Sequence, residues 1–281
     1  MMKNNALGKE NRQKSWVPLV LIGIALAYLG LILYIPAINV FYQAFNTGVA
    51  PFFHNLTQFD FLHAAWLTLI LALICIPVNA AFGLCAAWAI ARHRFPGRTL
   101  LLSIIDLPFS ISPVVVGLMI VLVYGRQGWI GNWLVEHGMR IIFSFPGMAI
   151  ATAFVSMPFV AREVIPVMEE LGSDQEEAAK TLGANNWQIF LRVTLPNVRW
   201  GLLYGLILTN ARAMGEFGAV SVVSGNIIGK TQSLPLFVED TYKQYETAAA
   251  YSAAVILALL AVVTLVLKEI LERKTRIQEV E

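Results

Sequence analysis

Arg212 and Glu216 lie four residues apart, deep inside the apolar run VRWGLLYGLILTNARAMGEFGAV. An arginine at the centre of a bilayer costs roughly 2.5 to 3.5 kcal/mol on insertion scales, so it should face protein or a wet cavity. Residues i and i+4 share a helix face, which lets the two side chains pair. Two chemistries fit that pairing. Either the charges neutralise each other as structural glue, or Arg212 lies along an anion path with Glu216 tuning its charge and position. Asn210, on the same run, is the other polar group expected on such a path. A second polar interruption holds Asp106, Pro108, Ser110, Ser112 and Pro113. Proline removes a backbone donor and frees carbonyls that protein or cavity water must satisfy, so this break is expected at a gate, with Ser110 and Ser112 on the path. The simpler alternative is a proline kink whose serines bond back to the helix. Asp106 calls for a basic partner on another segment.

Other chemistry is not expected. Cys75 and Cys85 are ten residues apart on one predicted helix, about 15 Å and too far for a disulfide, so both read as small buried side chains. His54, His63, His93 and His137 are dispersed without ligand spacing, which predicts no metal site. The run Gly225-Asn226-Ile227-Ile228-Gly229-Lys230-Thr231 imitates a phosphate-binding loop but has three residues between its glycines where four are needed. It reads as a glycine-rich turn. No cofactor and no nucleic acid are expected; if ATP drives this protein, another subunit binds it.

The most informative polar segment is 173–196, SDQEEAAKTLGANNWQIFLRVTLP, lodged between two membrane-length apolar runs. Ser173 followed by Glu176 has capping-box spacing, and Asp174, Glu176 and Glu177 suit the positive end of a helix dipole. Gly183 is the predicted stop, and Asn185 or Asn186 the predicted cap of a second short helix carrying Trp187, Ile189, Phe190 and Leu191, ended by Pro196. A bent helix pair with an apolar knob is suited to filling a cleft in another protein. An ordinary amphipathic connector is the plainer alternative.

The elements that position these groups follow from composition. With 57% hydrophobic and 14% charged residues among 281, and a mean hydropathy of +0.66, the chain is too apolar for a soluble domain. Six apolar runs of crossing length are predicted, near 17–41, 63–91, 100–124, 145–167, 198–223 and 247–267. The first is too long for a cleavable signal peptide and is expected to remain as an anchor. Lysine and arginine gather in alternate connections: Lys3, Lys9, Arg12 and Lys14; Arg92, Arg94 and Arg98; Arg162, Lys180, Arg192 and Arg199; and Lys268, Arg273, Lys274 and Arg276. Those are 15 of the 20 basic residues, and the bias predicts that both termini and the 173–196 loop are cytoplasmic. Gly201, Gly205, Gly215 and Gly218 should let neighbouring helices approach the fifth run closely.

Segment 173–196 also resembles the EAA loop of bacterial ABC-importer permeases: Glu177-Ala178-Ala179, three residues, Gly183, nine residues, Val193, one residue, Leu195-Pro196. Val193 departs from the isoleucine most frequent in that pattern, a change of volume alone. The runs FPGRTLLLSIIDLPFSISPVVVGL, FSFPGMAIATAFVSMPFVAREVIPVM and LTNARAMGEFGAVSVVSG extend the likeness to the CysW-type permease family of sulfate/thiosulfate ABC importers. The resemblance implies an all-α membrane protein of the type I importer (MetI-like) fold with six transmembrane helices. The implied divisions are a cytoplasmic tail (1–15), a first helix with external loop (16–60), a permease core (61–267) and a second cytoplasmic tail (268–281). It implies a permease subunit without catalysis of its own, in the bacterial inner membrane. The implied partners are a CysT-type permease, two copies of a cytoplasmic ATPase, a periplasmic sulfate-binding protein, membrane lipid and the anion itself. Glu177, Ala178, Ala179, Gly183, Trp187, Phe190, Leu195 and Pro196 would then couple to the ATPase, and Arg212, Glu216, Asn210, Ser110 and Ser112 would border the path. Molybdate or tungstate permeases carry a similar Arg and Gly-Glu-Phe-Gly pattern and are the nearest alternative. A secondary anion transporter and a membrane scaffold are the others, although the halves of this chain show no convincing duplication.

Overall fold

The computed structural model describes residues 16–278; the first tail, with Lys3, Lys9, Arg12 and Lys14, and residues 279–281 lie outside them. Every regular element among the described residues is helical. The chain enters through α1 (Val17–Leu29), a π turn at Gly30–Tyr34 and α2 (Ile35–Phe45), which run on as one helix. The π turn lies just ahead of Pro36. The ring of Pro36 would collide with the carbonyl four residues back, and widening the preceding turn relieves that clash without ending the helix. The chain continues through α3 (Val49–Thr57) and α4 (Phe59–Arg92). Next come α5 (Arg98–Ser110) and α6 (Pro113–Tyr124), bent 112° from each other at Ile111 and Ser112. A short α7 (Gly131–Glu136) precedes α8 (Phe145–Ser156) and α9 (Pro158–Leu171), which are interrupted only at Met157.

The polar segment forms α10 (Asp174–Thr181) and α11 (Asn186–Ile189), then a second π turn at Phe190–Thr194 leading straight into α12 (Leu195–Met214). Pro196 therefore does not end the second short helix. It sits in the first turn of α12, and the π turn ahead of it absorbs its steric demand just as at Pro36. Beyond a break at Gly215–Phe217 come α13 (Gly218–Ser224), α14 (Leu234–Lys243) and the long α15 (Thr247–Gln278). The region between the fifth and sixth predicted runs contains α14, whose Leu234, Leu236, Phe237 and Thr241 are buried.

Among the described residues, four helices are long and apolar enough to cross a membrane: Pro18–Phe45, Phe59–Arg92, Phe145–Leu171 and Thr247–Val266. The bent pair α5 and α6 is apolar enough to count as a fifth only when its two halves are taken together as one broken span. The expected continuous run over 198–223 is instead α12 and α13 with a break between them. At 20 residues α12 is long enough to cross, but Asn197, Arg199, Asn210 and Arg212 make it more polar than the other four. It can be so because it lies inside the bundle, against α4, α9 and α15.

The kernel is α4, α9 and α12, where Ala87 and Ile90, Val160, Val164 and Met168, and Val198 are sealed from solvent. Gly83 and Gly205 grip Val160 from two sides: a Cβ at Gly83 would stand 2.6 Å from Val160 Cβ, and one at Gly205 2.8 Å from its Cα. Gly201 and Gly218 also mark close approaches; Gly215, by contrast, ends α12 and meets no neighbouring helix closely. Val116 and Ile120 of α6, Ala151 and Val155 of α8, and Ala219 and Val223 of α13 form a second cluster. Asn79 donates to Ser156 Oγ (2.8 Å), tying α4 to α8 by a buried polar contact of the kind that holds membrane helices together. Cys75 is buried as expected, whereas Cys85 is exposed. The Gly225–Lys230 run is a turn closed by Thr231 Oγ1 donating to Ser224 O (2.7 Å), so the glycine-rich-turn reading holds.

Candidate functional site: an exposed helical loop and a charged helix break

Gly183, at φ +85°, adopts the left-handed conformation that closes α10, and its neighbour Ala184 N–H reaches back to Ala179 O (3.1 Å). Asn185 then caps α11. Its side chain accepts from Gln188 N–H (2.8 Å), and Gln188 Oε1 accepts from Asn185 N–H (2.9 Å), a reciprocal capping box. The box expected at Ser173 and Glu176 does not form. Ser173 Oγ instead donates to Glu177 Oε1 (2.7 Å), because Glu176 is turned inward to other partners. Around the bend, Glu177, Ala178, Gly183 and Trp187 are exposed and Ala179, Phe190 and Leu195 are half-buried, while Ile189 anchors the loop from below. Leu182 and Trp187 stand out at 88% and 71% exposure, and Trp187 is braced edge-on by Phe190 (6.0 Å between centroids). The apolar knob is therefore on display. Beneath it, a cleft of about 570 Å³ separates the loop from the last turns of α4, lined by Trp88, Arg92, Lys180, Trp187 and Phe190 among others.

The inward side of this loop holds contacts that the sequence did not announce. Arg92, at the end of α4, makes a two-pronged bond to Glu176 through Nε (2.9 Å) and Nη2 (3.0 Å). Its Nη1 donates to Met168 O near the end of α9 (2.7 Å), and Thr194 Oγ1 donates to Glu176 Oε1 (2.8 Å). Arg98 pairs with Glu169 at the same end of the bundle.

At the other charged locus, Arg212 Nη1 lies 2.7 Å from Glu216 Oε2, so the i, i+4 pair forms. The helix break adds what the spacing could not show. Arg212 occupies the last turn of α12, where carbonyls favour a cation, and Glu216 precedes the first turn of α13, where N–H groups favour an anion. Glu216 Oε1 accepts from Ala219 N–H (2.9 Å). The glutamate is sealed at 2% exposure, whereas the Arg212 side chain keeps 32% of its surface open. Asn210, two residues before Arg212, falls on a different helix face and is half-buried, so the structure does not gather it with the pair.

Ser110 and Ser112 are exposed at the corner between α5 and α6. That corner abuts the other break: a Cβ on Gly218 would lie 2.9 Å from Pro113 Cβ, so only glycine lets α13 close on the start of α6. Asp106 finds its partner in Arg162 (2.8 Å), whose guanidinium also covers the Phe109 ring at 4.8 Å. Arg162 thus belongs to α9 and not to a connection between helices, where the charge pattern places it. Among the described residues no cluster of histidine, cysteine or acidic side chains could hold a metal ion.

Residues 79–277 match the family model described as binding-protein-dependent transport system inner membrane component. The chain is 67% identical over 259 residues to the sulfate transport system permease protein CysW of Synechocystis sp., covering 92% of this chain and 94% of that one. To the protein of the same description from Synechococcus elongatus it is 63% identical over 262 residues, covering 93% and 92%. Among solved structures, a bacterial ABC transporter involved in the import of the acidic polysaccharide alginate superposes with a TM-score of 0.76 over 94% of this chain and 96% of that one. At 20% identity that likeness speaks to the fold, which agrees with the importer-permease fold that the resemblance of segment 173–196 implies. The chain therefore belongs to the family of binding-protein-dependent transport system inner membrane components, and within it to the CysW-type permease proteins of sulfate transport systems.

Proposed function

We propose that this chain is one of two membrane subunits of an ATP-driven importer that carries sulfate/thiosulfate across the bacterial inner membrane. The observation that carries the reading is the 173–196 loop, which presents Leu182 and Trp187 to the outside on a capped, internally bonded platform. A separate cytoplasmic ATPase, in two copies, grips that loop, so both termini of this multi-pass chain are cytoplasmic and the chain itself performs no catalysis. A CysT-type permease completes the path, and a periplasmic sulfate-binding protein delivers the anion. The core of the subunit is 61–267.

Arg212, with Asn210, Ser110 and Ser112 along the route, contacts the passing dianion, and Glu216 keeps it from being held. An unopposed arginine in a low-dielectric path would retain a doubly charged anion, whereas one already paired with a buried carboxylate offers a shallower well. Transport also requires an affinity that differs between inward- and outward-open states, which the nucleotide cycle supplies.

The test is recovery of the tagged chain in mild detergent together with labelled sulfate uptake by vesicles. The reading expects an ATPase and a second permease to be recovered with it, ATP-dependent uptake, and loss of uptake in Arg212→Gln with the complex still assembled. Uptake driven by an ion gradient alone, without ATPase, would establish a secondary transporter instead.

A further inference from the structure

The loop that meets the ATPase is attached to the bundle in an unusual way. None of the residues of α10 is buried, so the helix has no apolar anchor of its own. What fastens it is polar: Asn197 Nδ2 donates to Gln175 Oε1 (2.6 Å) on the outside, and Glu176 is clamped on the inside. The Glu176 carboxylate accepts two bonds from Arg92 and one from the buried hydroxyl of Thr194, and Arg92 spends its remaining reach on Met168 O. The two charged side chains are only 11% and 16% exposed. One guanidinium thus joins three helices, α4 through its own backbone, α9 through a carbonyl left over at a helix end, and α10 through a carboxylate. Thr194 adds the π turn that leads into α12.

We propose that Arg92 and Glu176 form the clamp that transmits displacement of the docking loop to α4 and α9, making Arg92 a positioning residue for coupling although it lies outside the loop. The inference rests on the importer reading above. A planar fork suits this task because its donors hold fixed directions, so α10 cannot tilt without dragging the ends of α4 and α9. A lysine at position 92 would keep the charge but could not bridge the carboxylate and the Met168 carbonyl together.

Two measurements test this. In the reconstituted complex, the ratio of sulfate taken up to ATP hydrolysed should fall about tenfold or more in Arg92→Gln, Arg92→Lys and Glu176→Gln, and partly recover in the swap Arg92→Glu with Glu176→Arg. The milder Thr194→Val should lower it severalfold. In the wild-type chain and the same variants, hydrogen exchange of the 174–181 amides should speed up at least tenfold when the clamp is cut. Wild-type coupling ratios in the Gln variants with ATPase bound, or exchange in α10 unchanged by Glu176→Gln, would overturn the proposal. A variant that does not assemble is judged by the exchange measurement and by Thr194→Val. A wild-type complex without ATP-dependent uptake would defeat the importer reading, while exchange would still decide whether the clamp holds the loop.

Discussion

Removing the charge of Arg212 and removing that of Glu216 should have unequal consequences, because the two ends of the pair are unequally buried. Glu216 is 2% exposed and has one other donor, the Ala219 N–H, whereas the Arg212 side chain is 32% exposed. Arg212→Gln leaves a sealed carboxylate without its counterion, a change that costs about 3–5 kcal/mol when buried pairs are broken one-sidedly. Glu216→Gln keeps an oxygen for the Ala219 N–H and leaves a guanidinium that can turn toward solvent, but sets an amide N–H group without an acceptor where Oε2 was, at roughly 1.5 kcal/mol in all. The gap exceeds the 1.4 kcal/mol that is tenfold in an equilibrium constant, so thermal challenge of the detergent-solubilised complex resolves it. Combining the substitutions removes the orphaned charge, and the double variant should be more stable than Arg212→Gln alone, a coupling of about 2–3 kcal/mol. Stability and transport then separate. The double variant should assemble yet remain inactive in sulfate uptake, since Arg212 is still missing from the path. Wild-type uptake by the double variant would show that the pair is structural glue only, and equal destabilisation by the two single variants would refute the burial argument itself.

Trp187→Ala should leave the chain's own thermal stability within about 0.5 kcal/mol, as expected for an exposed side chain, while reducing recovery of the ATPase by more than tenfold. Gly83→Ala places a methyl 2.6 Å from Val160 Cβ and should destabilise the α4–α9 contact by about 1–3 kcal/mol, seen as a lower unfolding temperature.

What was legible in the sequence divides along physical lines. Local rules worked where neighbours in the chain decide the outcome: Gly183 closes α10, Asn185 caps α11, and Arg212 meets Glu216 four residues on. They failed where a distant partner outbid a local one. Ser173 and Glu176 had capping-box spacing, but a carboxylate that can reach a guanidinium and a threonine hydroxyl at once gains more than one backbone N–H offers, so Glu176 turned inward. Arg92 looked like one more positive charge in a cytoplasmic connection, and nothing in its surroundings in the chain points to residue 176. Proline ordinarily ends a helix, so Pro196 reads as a stop; the π turn that precedes it leaves no compositional mark. The break at Gly215–Phe217 lay hidden for a related reason. Periodicity registers a helix-forming run, and α12 and α13 are both such runs, while the break between them sets Gly218 against Pro113, a residue distant in the chain.

The uninterrupted passage from α11 through the second π turn into α12 makes the 173–196 loop and the Arg212 locus two ends of a single lever of roughly 29 residues, about 43 Å long. Tilted by about 10° around its midpoint, such a lever moves each tip nearly 4 Å in opposite directions, about the width of a side chain. A displacement at the loop end would then arrive at the charged break as a comparable sideways step.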